Sequence, residues 1–218
     1  PIDPLCDCLA CGTGVKRSYL AHLLRCEEIA ALTRAVREQG MKGLYFTSAA
    51  FYQNGFEELY DDAAFHPFWD AVRGLGIPVH WVFLYDSPIG TFADEMVHFR
   101  RWLERYGDIP TVLVHGIPTS RFAGEDDRIE FPDYFAGIMD EYPVHAEVLF
   151  PLIWGGQMDY PYARAERHLE QIYDRFGSER LIWGSDMPNV ERFCTYRQTL
   201  TYILHHCEFL TEADRRMI

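Results

Sequence analysis

Leu181-Ile182-Trp183-Gly184-Ser185-Asp186-Met187-Pro188 is the stretch that decides how this chain folds. A short apolar run ends at Gly184, and polar residues and a proline follow at once. That is the pattern of a buried strand meeting a loop. Working outward, similar runs recur as Gly43-Leu44-Tyr45-Phe46-Thr47, Pro78-Val79-His80-Trp81-Val82-Phe83, Thr111-Val112-Leu113-Val114-His115 and His145-Ala146-Glu147-Val148-Leu149-Phe150. Their starts at 43, 78, 111, 145 and 181 recur every 33 to 36 residues. The runs are rich in β-branched or aromatic residues, and Gly or Pro flanks most of them. This suits parallel strands covered on both faces.

Helical spacing fills the intervals. Phe65, Phe68, Trp69, Val72 and Leu75 precede Gly76. Met96, Phe99 and Leu103 precede Gly107. Tyr162, Ala165, Leu169, Ile172, Tyr173 and Phe176 precede Gly177, and Tyr196, Leu200, Ile203, Leu204 and Cys207 repeat the pattern. Leu20, Leu23, Leu24, Ile29, Leu32 and Val36 predict one long helix from about Lys16 to Glu38. Strand, helix and strand in alternation mean right-handed crossovers and a parallel sheet. A closed (β/α)8 barrel takes about 250 residues, and only 42 residues precede the first run here. The expected fold is α/β: a partial (β/α)8 TIM-type barrel of about five βα units, after an N-terminal Cys-rich helical segment. The expected division is 1–34 for that segment and 35–218 for the barrel portion.

The 218 residues carry a net charge of -13, with 33 acidic against 20 basic residues. Nucleic-acid binders usually present a basic face, and only Lys16-Arg17 and Arg100-Arg101 cluster here. Nucleic acid is therefore disfavoured as a partner. No apolar run approaches the length of a membrane span, so no membrane is expected either. The opening Pro1-Ile2-Asp3-Pro4 has no basic-then-apolar leader pattern. Cys6, Cys8 and Cys11 fall close together, which reads as metal binding before a disulfide framework. A reducing cytoplasm is the expected compartment.

Two resemblances add to this reading. Arg180-Leu181-Ile182-Trp183-Gly184-Ser185-Asp186-Met187-Pro188 resembles the last strand of the amidohydrolase-related family of metal-dependent hydrolases and decarboxylases, which ends in Gly-Ser-Asp-x-Pro. Gly40-Met41-Lys42-Gly43-Leu44, Leu75-Gly76-Ile77-Pro78-Val79 and Val112-Leu113-Val114-His115-Gly116 resemble its fourth, fifth and sixth strand regions. This likeness runs over about residues 35–206. Residues 1–30 are similar instead to the zinc-binding segment of tRNA-guanine transglycosylases. They share Cys-x-Cys-x-x-Cys at Cys6, Cys8 and Cys11, followed by Arg17-Ser18-Tyr19-Leu20-Ala21-His22-Leu23-Leu24.

The first resemblance implies that Asp186 holds a divalent metal and that His115 activates water or delivers a proton. A ring titrating near neutrality suits that work. Each residue also has a plainer reading, Asp186 as a loop or N-cap carboxylate and His115 as a strand-end histidine bonded to backbone. His80 lies two residues before the family's ligand position, which is Val82 here. It reads first as a buried histidine and second as a displaced ligand. The family's paired first-strand ligands have no counterpart, since His205-His206 is adjacent and sits on a predicted helix. A mononuclear site takes about three protein ligands, so Asp186 with one or two histidines is marginal. Phe51, Tyr52, Asn54, Tyr85, Asp86 and Trp154 to Gln157 follow runs and could line a pocket or cover core.

The second resemblance implies a structural zinc on Cys6, Cys8 and Cys11. The family's fourth ligand falls near Arg37 or Glu38, where there is no histidine; His22 or Glu38 is the substitute. An unmetallated, reduced cluster is the other reading. Taken together, the expectation is a metal-dependent amidohydrolase-like hydrolase or decarboxylase acting on a small carboxylate or amide. Zinc is the first choice of cofactor. Its partner is a small-molecule substrate, and an unclosed sheet edge favours a homo-oligomer. The alternatives are a transglycosylase-type zinc module and a catalytically inactive binding protein.

Overall fold

The computed structural model describes residues 28–53, 58–83, 86–87, 89–149, 160–192 and 194–218. Cys6, Cys8, Cys11, His22, Asn54, Tyr85 and Trp154 to Gln157 lie outside the described residues. The chain forms two compact units, one ending at Val112 and one beginning at Leu113.

In the first unit, helix α1 covers residues 28–37, as the latter part of the long predicted helix. β1 (Leu44–Thr47) pairs in parallel with β2 (Val79–Val82), with Leu44 opposite Val79 and Phe46 opposite Trp81. The Val79 amide donates to the Pro110 carbonyl at 2.9 Å, which brings the approach to β5 (Thr111–Leu113) beside β2. Between the strands stand α2 (Ser48–Gln53) and α3 (His66–Leu75), the latter stopping at Gly76 as expected. A two-residue ribbon, β3 (Asp86–Ser87) with β4 (Gly90–Thr91), precedes α4 (Phe92–Tyr106). Thr91 and Asp94 cap α4 reciprocally, satisfying its first free amides.

Strand alternation sends Leu44, Phe46, Val79 and Trp81 to one face and Tyr45 and His80 to the other. The first face meets the helices in an aromatic core. Trp81 stacks on Trp69 at 5.4 Å and meets Trp102 edge-on at 4.9 Å, with Phe46 4.7 Å away. The Trp69 indole donates to the Tyr60 carbonyl at 2.8 Å. The other face is open, with Tyr45 54% exposed.

In the second unit, α5 (Thr119–Phe122) and α6 (Asp133–Glu141) precede β6 (Val144–Leu149). α7 (Ala163–Phe176) leads to β7 (Leu181–Gly184), again stopping at the expected glycine. β6 and β7 pair in parallel, with Ala146 opposite Leu181 and Glu147 opposite Ile182. Val144, Ala146, Val148 and Leu181 are buried with Phe135, Ile138, Leu169 and Ile172 of α6 and α7. Ile182, on the Glu147 side, is 37% exposed. Arg180 fastens the start of β6 by donating to the Met139, Tyr142 and Val144 carbonyls. Asp127, held by Arg164 at 2.5 Å, pins the loop after α5 to α7. α8 (Tyr196–Thr201) passes into a π turn at Tyr202–His206, where an unbroken helix was expected, and α9 (Glu212–Met217) follows.

Two details differ from the sequence reading. The third run keeps strand geometry only to Leu113, and Val114 and His115 belong to a turn. The β3–β4 ribbon carries no periodic signal and was not expected. Among the described residues no helix is long and apolar enough to cross a membrane.

Candidate active site

Two expected residues sit just beyond strand ends of the second unit, and both take left-handed backbone. His115 has φ 66° and Asp186 has φ 51°. Left-handed conformations are uncommon for residues with a Cβ, though His and Asp adopt them more readily than most. They persist where surroundings fix them, often at functional positions. Gly116 follows His115 at φ 64°, so the two make a tight reversal. The Gly116 amide closes it by donating to the Leu113 carbonyl at 3.2 Å. After Asp186 the chain turns through the Met187-Pro188 peptide, and the Val190 amide donates to the Asp186 carbonyl at 3.0 Å.

Glu147 lies between these ends. The His115 amide donates to Glu147 Oε2 at 3.0 Å. A Cβ on Gly184 would collide with the same carboxyl, and one on Gly116 would collide with the Glu147 carbonyl. Side-chain-free positions in the turn after β5 and at the last residue of β7 therefore make room for Glu147. Burial pushes its carboxyl above the usual glutamate range; the His115 amide and the His115 charge pull it down, and Asp186 pushes it up. His115 and Asp186 are thus brought to one neighbourhood, with Glu147 the group they share. The sequence reading missed Glu147. Its signal was an acidic residue two positions after His145 within an apolar run.

His80 stands in the first unit. Its ring packs beside Gly43, where a Cβ would lie 3.2 Å from Cδ2 and Nε2. Burial lowers its pKa and so favours the neutral ring. Among the described residues, no three His, Cys, Asp or Glu side chains converge on a position that could hold a metal ion. The described donors therefore do not supply a complete shell. Of the loop aromatics, Phe51 and Tyr52 are buried, with the Tyr52 hydroxyl 3.4 Å from Glu95 Oε2. Phe51 packs against Phe46 and Phe65 in the core of the first unit.

Comparison with known proteins adds the following. A family model described as amidohydrolase matches residues 19–218. A dihydroxybenzoic acid decarboxylase from Polaromonas sp. JS666, solved with manganese and 2-nitroresorcinol, is 17% identical with a TM-score of 0.56; the match covers 93% of this chain and 70% of that one. A candidate 2-pyrone-4,6-dicarboxylic acid hydrolase from Pseudomonas putida is 20% identical with a TM-score of 0.59, covering 94% and 74%. An amidohydrolase from Burkholderia multivorans with bound zinc is 18% identical with a TM-score of 0.59, covering 89% and 67%. The chain spans only 63% of a 2,6-dihydroxybenzoate decarboxylase that it also resembles. At these identities the likeness is one of fold, that of barrel-type enzymes, and it agrees with the partial barrel expected from the strand spacing. A separate match to a queuine tRNA-ribosyltransferase of Synechococcus sp. strain CC9605 is 47% identical over 49 residues, 22% of this chain and 13% of that protein.

Proposed function

This chain belongs to the amidohydrolase family, and from that premise we propose that it is a hydrolase or decarboxylase of a small carboxylate. The supporting observation is the gathering of His115 and Asp186 around Glu147 at the ends of β5 and β7. Active sites of barrel folds form at this end of the strands. In this reading His115 moves a proton to or from the substrate, and Glu147 holds the His115 backbone. Asp186 is the residue assigned to a divalent metal, with zinc the first choice and manganese the second. Such an ion would polarise the substrate's carboxylate or carbonyl. His80 is the weakest ligand candidate. The described residues do not by themselves complete a metal shell.

The test pairs two probes, 2,6-dihydroxybenzoate followed by carbon dioxide release and 2-pyrone-4,6-dicarboxylate followed by ring-opening absorbance. Each is run with zinc or manganese supplied. Turnover of one probe, lost in Asp186→Ala and His115→Gln, is the expected result. Silence toward both, or survival of turnover and metal uptake in Asp186→Ala, sinks the proposal.

The zinc assignment to Cys6, Cys8, Cys11 and His22 is a second, separate proposal, supported by the transglycosylase-like match. One tightly held zinc per chain, lost when the three cysteines become serine, is its expected outcome. A homo-oligomer and a cytoplasmic location are likewise proposals; sedimentation velocity decides the first.

A further inference from the structure

We infer that Glu147 is a positioning residue: its carboxylate, wedged between the turn after β5 and the last residue of β7, holds the His115 backbone in the left-handed conformation that aims the imidazole. The inference rests on the catalytic reading of His115. Three observations carry it. The His115 amide has the Glu147 carboxylate as its acceptor, at 3.0 Å. The left-handed pair His115 and Gly116 wraps the same residue, because only a glycine fits over the Glu147 carbonyl at position 116. Gly184, two residues before Asp186, is likewise bare on the side the carboxyl occupies. A single side chain thus abuts the turn that bears His115 and the strand end that leads to Asp186.

An amide bonded to a carboxylate is held more firmly than one bonded to a neutral acceptor or to water. Without that acceptor, the left-handed turn loses its external restraint and relaxes toward commoner backbone. Side-chain reach matters too. Aspartate at 147 keeps the charge but is one methylene shorter and falls short of the His115 amide. Glutamine keeps the length and an acceptor oxygen but loses the charge. The two substitutions therefore separate positioning from general electrostatics.

The experiment measures turnover of 2,6-dihydroxybenzoate or 2-pyrone-4,6-dicarboxylate by Glu147→Ala, Glu147→Asp and Glu147→Gln. In parallel, hydrogen exchange of the His115 amide is followed by NMR on selectively labelled chain, with circular dichroism as the check on folding. Alanine and aspartate are expected to lower kcat about 10- to 100-fold with KM little changed, the loss typical of a displaced catalytic group. Both should also speed His115 amide exchange by about tenfold or more, the acceptor being gone. Glutamine is expected to stay within about threefold of the parent in both readouts, rescued by its remaining acceptor. Aspartate matching the parent overturns the inference, as does an unchanged His115 amide in the alanine variant. If alanine fails to fold, the contrast between aspartate and glutamine decides alone. If neither probe turns over, the enzymatic reading fails, and the exchange measurements still judge the positioning claim.

Discussion

Gly184 and Glu147 fit together as bare backbone against carboxyl: a Cβ on the glycine would occupy the space of Oε1 and Cδ. Gly184 stands opposite Leu149 in the β6–β7 register, one pair beyond Val148 and Trp183. The contact therefore lies at the loop end of the strands, next to the turn that carries Asp186.

Gly184→Ala follows directly. Its methyl group drives the carboxyl off the His115 amide or pushes the β7 turn outward. Overpacking of this kind costs about 1–3 kcal/mol. Chemical denaturation should show that loss, and His115 amide exchange should quicken. A variant with parent stability and an unchanged His115 amide would show that the gap at Gly184 tolerates a side chain.

The aromatic core of the first unit predicts a larger effect. Trp81 is fully buried and touches Phe46, Trp69, Phe99 and Trp102. Trp81→Ala should destabilise by about 3–5 kcal/mol through lost transfer energy and an unfilled cavity. Trp81→Phe should lose markedly less, because much of the ring contact remains. Urea titration of the three proteins checks the order.

His168 gives a pH dependence. It is fully buried on α7, 3.6 Å from Asp127, and burial lowers its pKa more than Asp127 raises it. The folded state therefore binds this proton less readily than the unfolded state. The stability that follows is complete above the unfolded value of about 6.5 and is lost as pH falls from there through the lowered folded value. Melting temperature of the parent should drop on moving from about pH 7 to about pH 5, and His168→Leu should drop less over that window. Parallel profiles for the two proteins would remove His168 as the cause.

Asp214 acts in the same direction, in a more acidic window. Thr211, Ser178 and Tyr173 hydrogen-bond its carboxylate and hold its pKa down to about 2. The stabilisation is present above the ordinary aspartate range and is lost as pH falls through that depressed value. The parent's advantage over Asp214→Asn should thus be fully present at neutral pH and shrink on acidification toward about pH 2. Melting curves of the pair across the acidic range read this directly.

Much of the fold was legible because its signals are local. The five apolar runs, and the helices that stop at Gly76 and Gly177, announce themselves through spacing and punctuation. His115 and Asp186 were legible as strand-end residues. Glu147 was less so, because its meaning depends on Gly184 and on the His115 amide, both distant in sequence. The early end of β5 has the same origin. Val114 continues the apolar pattern, and nothing nearby shows that His115 turns left-handed against a carboxylate on the next strand. The β3–β4 ribbon is too short for any period to register.

On β6, alternate residues answer to different demands. Val144, Ala146 and Val148 are closed in against the helices, while His145 and Glu147 stay partly open to solvent. The two faces of this one strand thus carry separate duties, packing on one and restraint of a neighbouring turn on the other. A polar replacement at Val144, Ala146 or Val148 would unsettle the whole unit, whereas one at Glu147 would be felt first at the His115 amide.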